Sequence, residues 1–309
     1  MQLLDEVRAD CAQIAARGRW VRIDADALAD EELLERLVAP TPDEPSAALD
    51  PARHYLEGEP AEVADYLLAL DAINFGSGWF PTLHKRLDRG EPLSGYFTVA
   101  WGLADHIRAR PSTDAPALGA TWLLTMDTAT IAAILEQPPD NELMSLYAQA
   151  LRELGRFLGG RRALDLVAEC GGSAERLAQT LARGMATWDD RHFYKRAQIL
   201  AADLALAGVA DFEDLDRLTI FADNLVPHVL RCEGVLVYDG ALAARIDAGE
   251  ILPPGGPERE IRACALHACE LIAARTGVPP RVLDNRLWNH GQHSAYKASP
   301  RHRCRCVYY

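Results

Sequence analysis

Asp223 stands in T-I-F-A-D-N-L-V-P-H-V-L-R-C-E-G, residues 219–234, four residues ahead of Pro227 and at the head of an apolar run. Proline lacks an N–H, and only the first N–H groups of a helix go unpaired without cost. The helix therefore starts at Asp223 or Asn224. Its carboxylate then lies at the positive end of the helix dipole, where the anionic form is favoured. An ionised carboxylate fixed on a rigid helix end can stabilise a developing cation. The same position also suits an ordinary N-cap, and the residues alone leave both readings open.

Three other stretches carry candidate chemistry. In H-F-Y-K-R-A-Q-I-L-A-A-D-L, residues 192–204, Phe193, Ala197, Leu200 and Leu204 share a helix face, with Lys195 and Arg196 beside it. Two adjacent cations near His192 fit a phosphate grip; a solvated basic turn is the plainer alternative. In A-L-D-A-I-N-F-G-S-G-W, residues 69–79, a helix breaks into a glycine loop flanked by Phe75 and Trp79, and Asn74 precedes it. Those aromatics either stack on a flat heterocycle or plug the core at a helix end. His54, upstream in R-H-Y-L-E-G, is an isolated candidate. In the C-terminal third, Glu260 and His267 lie seven apart and Asp284 and Trp288 four apart, so each pair shares a helix face. A buried acid beside an aromatic suits the N–H edge of a guanine-like base. The alternative is that Glu260 pairs with Arg262 or a neighbour and that Trp288 is core. The ending H-R-C-R-C-V-Y-Y is too aromatic for a frayed terminus, so it should dock on the body. His302, Arg303 and Arg305 then serve an anion site or surface ion pairs.

Composition narrows the classes. The net charge of −13 disfavours duplex DNA or intact tRNA as partner, while a small substrate with one phosphate needs only a local basic cluster. Seven scattered cysteines show no zinc-site spacing, and no metal or cofactor is expected. No phosphate-binding glycine loop, dinucleotide fingerprint, H-E-x-x-H or G-x-S-x-G occurs, and nothing local activates Cys170. The opening M-Q-L-L-D-E-V-R-A-D-C lacks a long apolar core and no run has the length of a membrane span, so a cytoplasmic protein without membrane contact is expected.

The elements that must position these residues are helical. Apolar periodicity predicts helices from Leu3, over 25–37, from Pro60 to Phe75, and at 94–109, 116–136, 142–157, 162–169 and 173–185. Others follow at 193–208, 223–231, 241–248, 257–276 and 279–288. V-R-I-D at 21–24 reads as extended, V-L-V-Y at 235–238 is the best strand, and the proline-rich 39–45 is a connection. The expectation is an all-α chain, one unit over 1–309, with two helical lobes meeting near 185–220.

F-Y-K-R-A-Q-I-L, L-T-I-F-A-D-N-L-V-P-H-V-L, E-I-R-A-C, L-D-N-R-L-W and the terminal H-R-C-R-C-V-Y-Y together resemble the queuosine salvage family, from V-R-I-D to the last residue. The resemblance implies an N-glycosylase that cleaves queuosine 5′-phosphate and releases queuine. The order of basic helix, short linker, Asp and V-x-x-V-L-R-x-x-G is more distantly similar to helix-hairpin-helix DNA glycosylases, which implies two lobes with the active site between them. It places Asp223 at the sugar, either stabilising an oxocarbenium-like state or attacking C1′. Phe75, Trp79 or Trp288 would hold the base, and Asp284 or Glu260 would read its N–H edge. Lys195 and Arg196 would favour the phosphate, and His54, Asn74 and Phe221 would complete the substrate contacts. Lys195 precedes the hairpin and gets no Schiff-base role. Asn224 and Leu225 stand where the family has an aromatic and a basic residue, and His228 stands in place of glutamine. Two rivals follow: a non-catalytic queuosine-binding protein on the same fold, and a DNA-repair glycosylase, which would need a basic face this chain lacks.

Overall fold

The computed structural model describes residues 2–40, 49–110 and 116–309. It is 59% helix and 5% strand, so the fold is all-α. The expected proline-rich connection at 39–45 lies almost wholly outside the described residues.

Side-chain caps and prolines set most helix boundaries. Helix α1 (Leu3–Ala16) leads into strand β1 (Val21–Ile23). The single helix expected over 25–37 is two, α2 (Ala25–Ala29) and α3 (Glu31–Val38). Asp30 breaks it: its backbone is extended and its carboxylate accepts the Leu33 N–H, starting the second helix. Helix α4 (Pro60–Ala72) opens on proline at its first position, where the missing N–H costs nothing. A two-residue pair, β2 (Leu87–Asp88) with β3 (Glu91–Pro92), precedes α5 (Gly95–Arg108), capped by Ser94. The stretch 116–136 also divides, into α6 (Ala120–Thr125) and α7 (Thr128–Ile134), because Asp127 accepts the Thr130 N–H.

Helix α8 (Glu142–Leu158) runs from an Asn141 cap to Gly159, whose φ of 58° suits glycine. Helices α9 (Ala163–Glu169), α10 (Ala174–Gly184) and α11 (Lys195–Leu206) follow. After α12 (Val226–Cys232) comes β4 (Leu236–Tyr238), which pairs antiparallel with β1 in the register Val21↔Tyr238. Helix α13 (Gly240–Asp247), strand β5 (Ile251–Leu252), α14 (Pro257–Thr276), α15 (Pro280–His290) and α16 (Ser294–Lys297) lead to β6 (Arg303–Cys304), parallel to β5. Among the described residues no helix is long and apolar enough to cross a membrane.

Buried apolar side chains form two large clusters. One is built on α4, α5, α8 and α10; the other on α1, α3, α12, α14 and α15. The segment 193–222 serves both: Leu200 and Phe221 belong to the first, Phe193, Ile220 and Ala222 to the second, and Tyr194 packs against each. Trp79 belongs to the first cluster, and its Nε1–H donates to Glu142 Oε2 at 2.7 Å.

Glu260 ties the second cluster together. From α14 its Oε1 accepts the backbone N–H groups of Arg19, Trp20 and Val21 at 2.8, 2.6 and 2.6 Å. Arg19 and Trp20 lie between α1 and β1 and Val21 opens β1, and the Glu260 carboxylate supplies the acceptor for all three. Glu260→Ala therefore strands three donors, and urea denaturation should show a loss of about 1–3 kcal/mol. Glu260→Gln, which keeps an acceptor oxygen there, should lose less.

Candidate active site

A cavity of about 920 Å³ opens between the 74–80 loop, α5, α11, the 221–228 turn, α15 and the 291–309 segment. Helix α11 shows it one face, with Lys195, Ile199, Ala202, Asp203 and Leu206 spaced as successive turns require.

Asp223 lies on the wall, three residues ahead of α12. Its Oδ1 accepts the N–H groups of Leu225 at 2.7 Å and Val226 at 3.2 Å, so the carboxylate closes the turn that leads into the helix; the helix itself starts at Val226, with Leu225 as its N-cap, and not at Asp223 or Asn224 as expected from sequence. Oδ2 makes no hydrogen bond among the described residues. The backbone thus fixes one oxygen and leaves the other for the cavity. Pro227, the second residue of α12, needs no partner.

Around it sits a charged interior. The buried Lys195 ammonium donates to the Asn74 carbonyl at 3.3 Å. Burial lowers its pKa, and the nearby carboxylates of Asp223 and Asp71 pull it back up. Asp284 Oδ1 accepts the Phe221 N–H at 2.8 Å. Its carboxyl is pushed up to about 7, by burial first and then by the negative charge of Asp223. Asp71 and Asp203 form a second buried pair. Burial raises both, and the charge of Asp71 raises Asp203 further, so a protonated carboxyl is favoured there.

Aromatic rings line another wall. Trp288 packs edge-on to Tyr96 and Phe97, with ring centroids 6.2 and 5.8 Å away. His54 is held at both nitrogens, Nδ1 by the Asp50 carbonyl and Nε2 by the Tyr96 hydroxyl, each at 3.0 Å. A carbonyl only accepts, so Nδ1 carries the proton and Nε2 accepts from Tyr96. Burial lowers the pKa of His54, which keeps the ring neutral.

Of the residues expected from sequence, Asp223, His54, Asn74, Phe75, Lys195, Phe221, Asp284 and Trp288 all line this cavity. Trp79, Arg196 and Glu260 do not. Trp79 is core, and Glu260 is occupied by the 19–21 backbone. Arg196 is buried between the rings of Phe75 and Trp188, 5.0 and 5.1 Å from their centroids. It donates to the carbonyls of Asp71, Ala72, Thr187 and Val307, so both terminal nitrogens of the guanidinium are committed to the backbone. His192 pairs instead with Asp10 at 2.8 Å. In the terminal segment Arg305 pairs with Glu142, whereas Arg303 reaches the cavity and donates to the Gly249 carbonyl. The segment does dock: the Tyr309 carbonyl accepts the N–H groups of Gly76 and Ser77. Sequence reasoning missed Tyr96, Phe97, Asp203, Lys85, Lys297 and Arg301. Asp203 alone left a signal, as an acid two turns beyond Lys195 on the same helix face. Among the described residues no group of three or more His, Cys, Asp or Glu could hold a metal ion.

The family model of the queuosine salvage protein matches residues 53–309, a span that contains every wall of the cavity except Pro40, Leu49 and Asp50. The chain belongs to the queuosine salvage protein family. A family relative from Sphaerobacter thermophilus, named queuosine 5′-phosphate N-glycosylase/hydrolase, is 32% identical over 95% of this chain and 94% of its own. Relatives of the same name from Mus musculus and Schizosaccharomyces pombe are 29% and 26% identical, each over 79% of this chain and over 81% and 82% of their own.

For this family member the raised Asp284 carboxyl has a measurable consequence. A native pKa near 7, above the unfolded value, means that the folded state holds the extra proton. The stability this contributes is complete below the unfolded pKa, about 4, and is lost as pH rises through about 7. Urea denaturation should therefore show wild type losing stability relative to Asp284→Asn as pH rises from about 5 to about 8, by at most about 1.4 kcal/mol per pH unit. A flat difference would mean that Asp284 is ionised throughout.

Proposed function

We propose that this chain hydrolyses the N-glycosidic bond of queuosine 5′-phosphate, releasing queuine, with Asp223 as the catalytic carboxylate. The observation that carries the reading is the divided bonding of that carboxylate: Oδ1 fixed by two backbone N–H groups, Oδ2 free at the cavity wall. Breaking a ribosyl C–N bond builds positive charge on the sugar ring. A rigidly held carboxylate oxygen stabilises that charge without reorganising, or closes on C1′ to form a glycosyl ester. Water then supplies hydroxide to C1′ and a proton to the departing base. Lys195 balances the local negative charge of Asp223, Asp71 and Asp284.

The neighbouring groups fit a deazaguanine ring. The wall of Trp288, Tyr96 and Phe97 offers it a flat apolar surface. Asp284, on the helix face shared with Trp288, offers a carboxyl to the N–H edge of the base. Phe75 and Phe221 border the same space. The finer architectural reading is a helix-hairpin-helix arrangement: α11, a linker with a short helical turn at Leu215–Arg217, then Asp223 at the head of α12. The two hydrophobic clusters serve as its lobes and the cavity as the active site. An acidic chain suits a free mononucleotide in the cytoplasm better than tRNA or DNA. The two departures beside Asp223 have structural employment. Asn224 donates to the His302 carbonyl at 3.0 Å, and Leu225 packs against Gly291.

Queuosine 5′-monophosphate incubated with the protein should yield free queuine by mass spectrometry. Asp223→Asn keeps an oxygen for the two N–H groups but loses the charge, so turnover should fall ~10²-fold or more while nucleotide binding survives. Equal turnover by both proteins would remove Asp223 from the chemistry. Tight binding without cleavage by wild type would make this a binding protein.

A further inference from the structure

The 74–80 loop gives the cavity Asn74, Phe75, Ser77 and Phe80, and its backbone donors show what holds it. The N–H of Phe75 turns back to the Ile73 carbonyl at 2.8 Å. Those of Trp79 and Phe80 reach the Gly76 carbonyl at 2.8 and 2.9 Å. Gly76 and Ser77 instead donate across the molecule to a single oxygen, the Tyr309 carbonyl, at 2.9 and 3.3 Å. Two residues before Gly76 stands the Asn74 carbonyl, which accepts the Lys195 ammonium at 3.3 Å. Whatever fixes residues 76 and 77 therefore fixes the acceptor of Lys195.

The ring of Tyr309 faces the other way. The Arg262 guanidinium lies over it, 4.5 Å from the ring centroid, and Arg262 Nε donates at 2.8 Å to the carbonyl of Ala222, the residue before Asp223. The Tyr309 hydroxyl is buried and makes no hydrogen bond among the described residues, so the ring face and the backbone oxygen carry its contacts. Nearby, the segment lies flush on the loop: a Cβ at Gly78 would collide with the Cys304 carbonyl group. Loop and turn belong to different halves of the core, Phe75 to the first hydrophobic cluster and Ala222 to the second. Tyr309 touches the supports of both.

We infer that Tyr309 is a positioning residue for hydrolysis, setting Lys195 and Asp223 in register from the far end of the chain. Its carbonyl anchors the loop that carries the Lys195 acceptor, and its ring seats the arginine that holds the residue before Asp223. The inference rests on reading Asp223 as the catalytic carboxylate. A carboxylate and an ammonium borne on separate backbone segments act on one substrate only while the spacing of those segments is kept. A misplacement of about 1 Å costs about 10²-fold in rate. Loss of the Tyr309 ring frees its carbonyl from the body, so the loop and the turn lose their common reference together.

The test combines amide hydrogen exchange with kinetics on queuosine 5′-monophosphate, in wild type, Tyr309→Ala, Tyr309→Phe and Gly78→Ala. Alanine at 309 removes the ring that seats the carbonyl, whereas phenylalanine keeps both. Gly78→Ala leaves Tyr309 as it is and wedges the Cys304 backbone off the loop. The Gly76 and Ser77 amides should exchange ~10-fold or more faster in both alanine variants than in wild type. In the same two variants kcat should fall ~10-fold or more while KM changes by less than about threefold, and Tyr309→Phe should rescue both readouts. Unchanged kcat in folded Tyr309→Ala, whatever happens to Tm, means that Tyr309 only packs and overturns the inference. A raised KM with unchanged kcat makes Tyr309 a substrate contact and overturns it equally. If Tyr309→Ala does not fold, Gly78→Ala decides by the same two readouts. If wild type leaves the nucleotide intact, the glycosylase reading falls, and the exchange rates still decide whether Tyr309 anchors the loop.

Discussion

The pair Arg262–Asp190 holds together the parts on which the site depends. From α14, the guanidinium donates to both Asp190 oxygens, at 3.0 and 2.6 Å, and through Nε to the Ala222 carbonyl at 2.8 Å. Its faces lie 3.9 Å from the ring centroid of Phe193 and 4.5 Å from that of Tyr309. Burial opposes the charge, but Asp190 and Glu258 outweigh it and hold the guanidinium more firmly charged than usual. Asp190 in turn accepts the Lys195 N–H, the first of α11, at 3.3 Å. One buried cation thereby registers α14, the start of α11, the residue before Asp223 and the terminal tyrosine. The left-handed backbone at His192 and Tyr194, an expensive conformation for residues with a Cβ, is the bend that lets Asp190 serve both.

With that frame set, the cavity separates opposite charges that would otherwise cancel. Asp71, Asp203, Asp223 and Asp284 act on Lys195 in the interior, whereas the side chains of Lys85, Lys297 and Arg301 line the same cavity without an ion pair among the described residues. Burial raises the cost of each charge and also strengthens each interaction, so an incoming group of matching charge is worth more here than on the acidic exterior.

Much of this was legible in the sequence where a local rule dictates the outcome. Pro60, Pro257 and Pro280 each open a helix, and Pro227 sits in the first turn of α12, which is why a helix start could be placed close to Asp223, although the helix begins three residues later, at Val226. Asp30 and Asp127 misled because each is a cap set inside an apolar repeat that continues on both sides. Two-residue strands such as β5 and β6 carry no period to read. Lys195 and Arg196 could not both face the cavity, since consecutive helical residues point roughly 100° apart; the apolar face fitted either, and tertiary packing chose Lys195. Lys85 and Arg301 had no signal, because only the fold brings residues so distant in sequence together.

The pairing of α1 with α14 sets a schedule for biosynthesis. Helix α1 ends at Ala16 and its partner begins at Pro257, with Glu260 gripping residues 19–21 a turn later. At a translation rate of about 5–20 residues per second, the apolar side chains of Val7 and Cys11 leave the ribosome roughly 10–50 s before the α14 surface they pack against. During that interval the helix is an unpartnered amphipathic segment. Until α14 emerges, that face of α1 has no apolar partner to bury it.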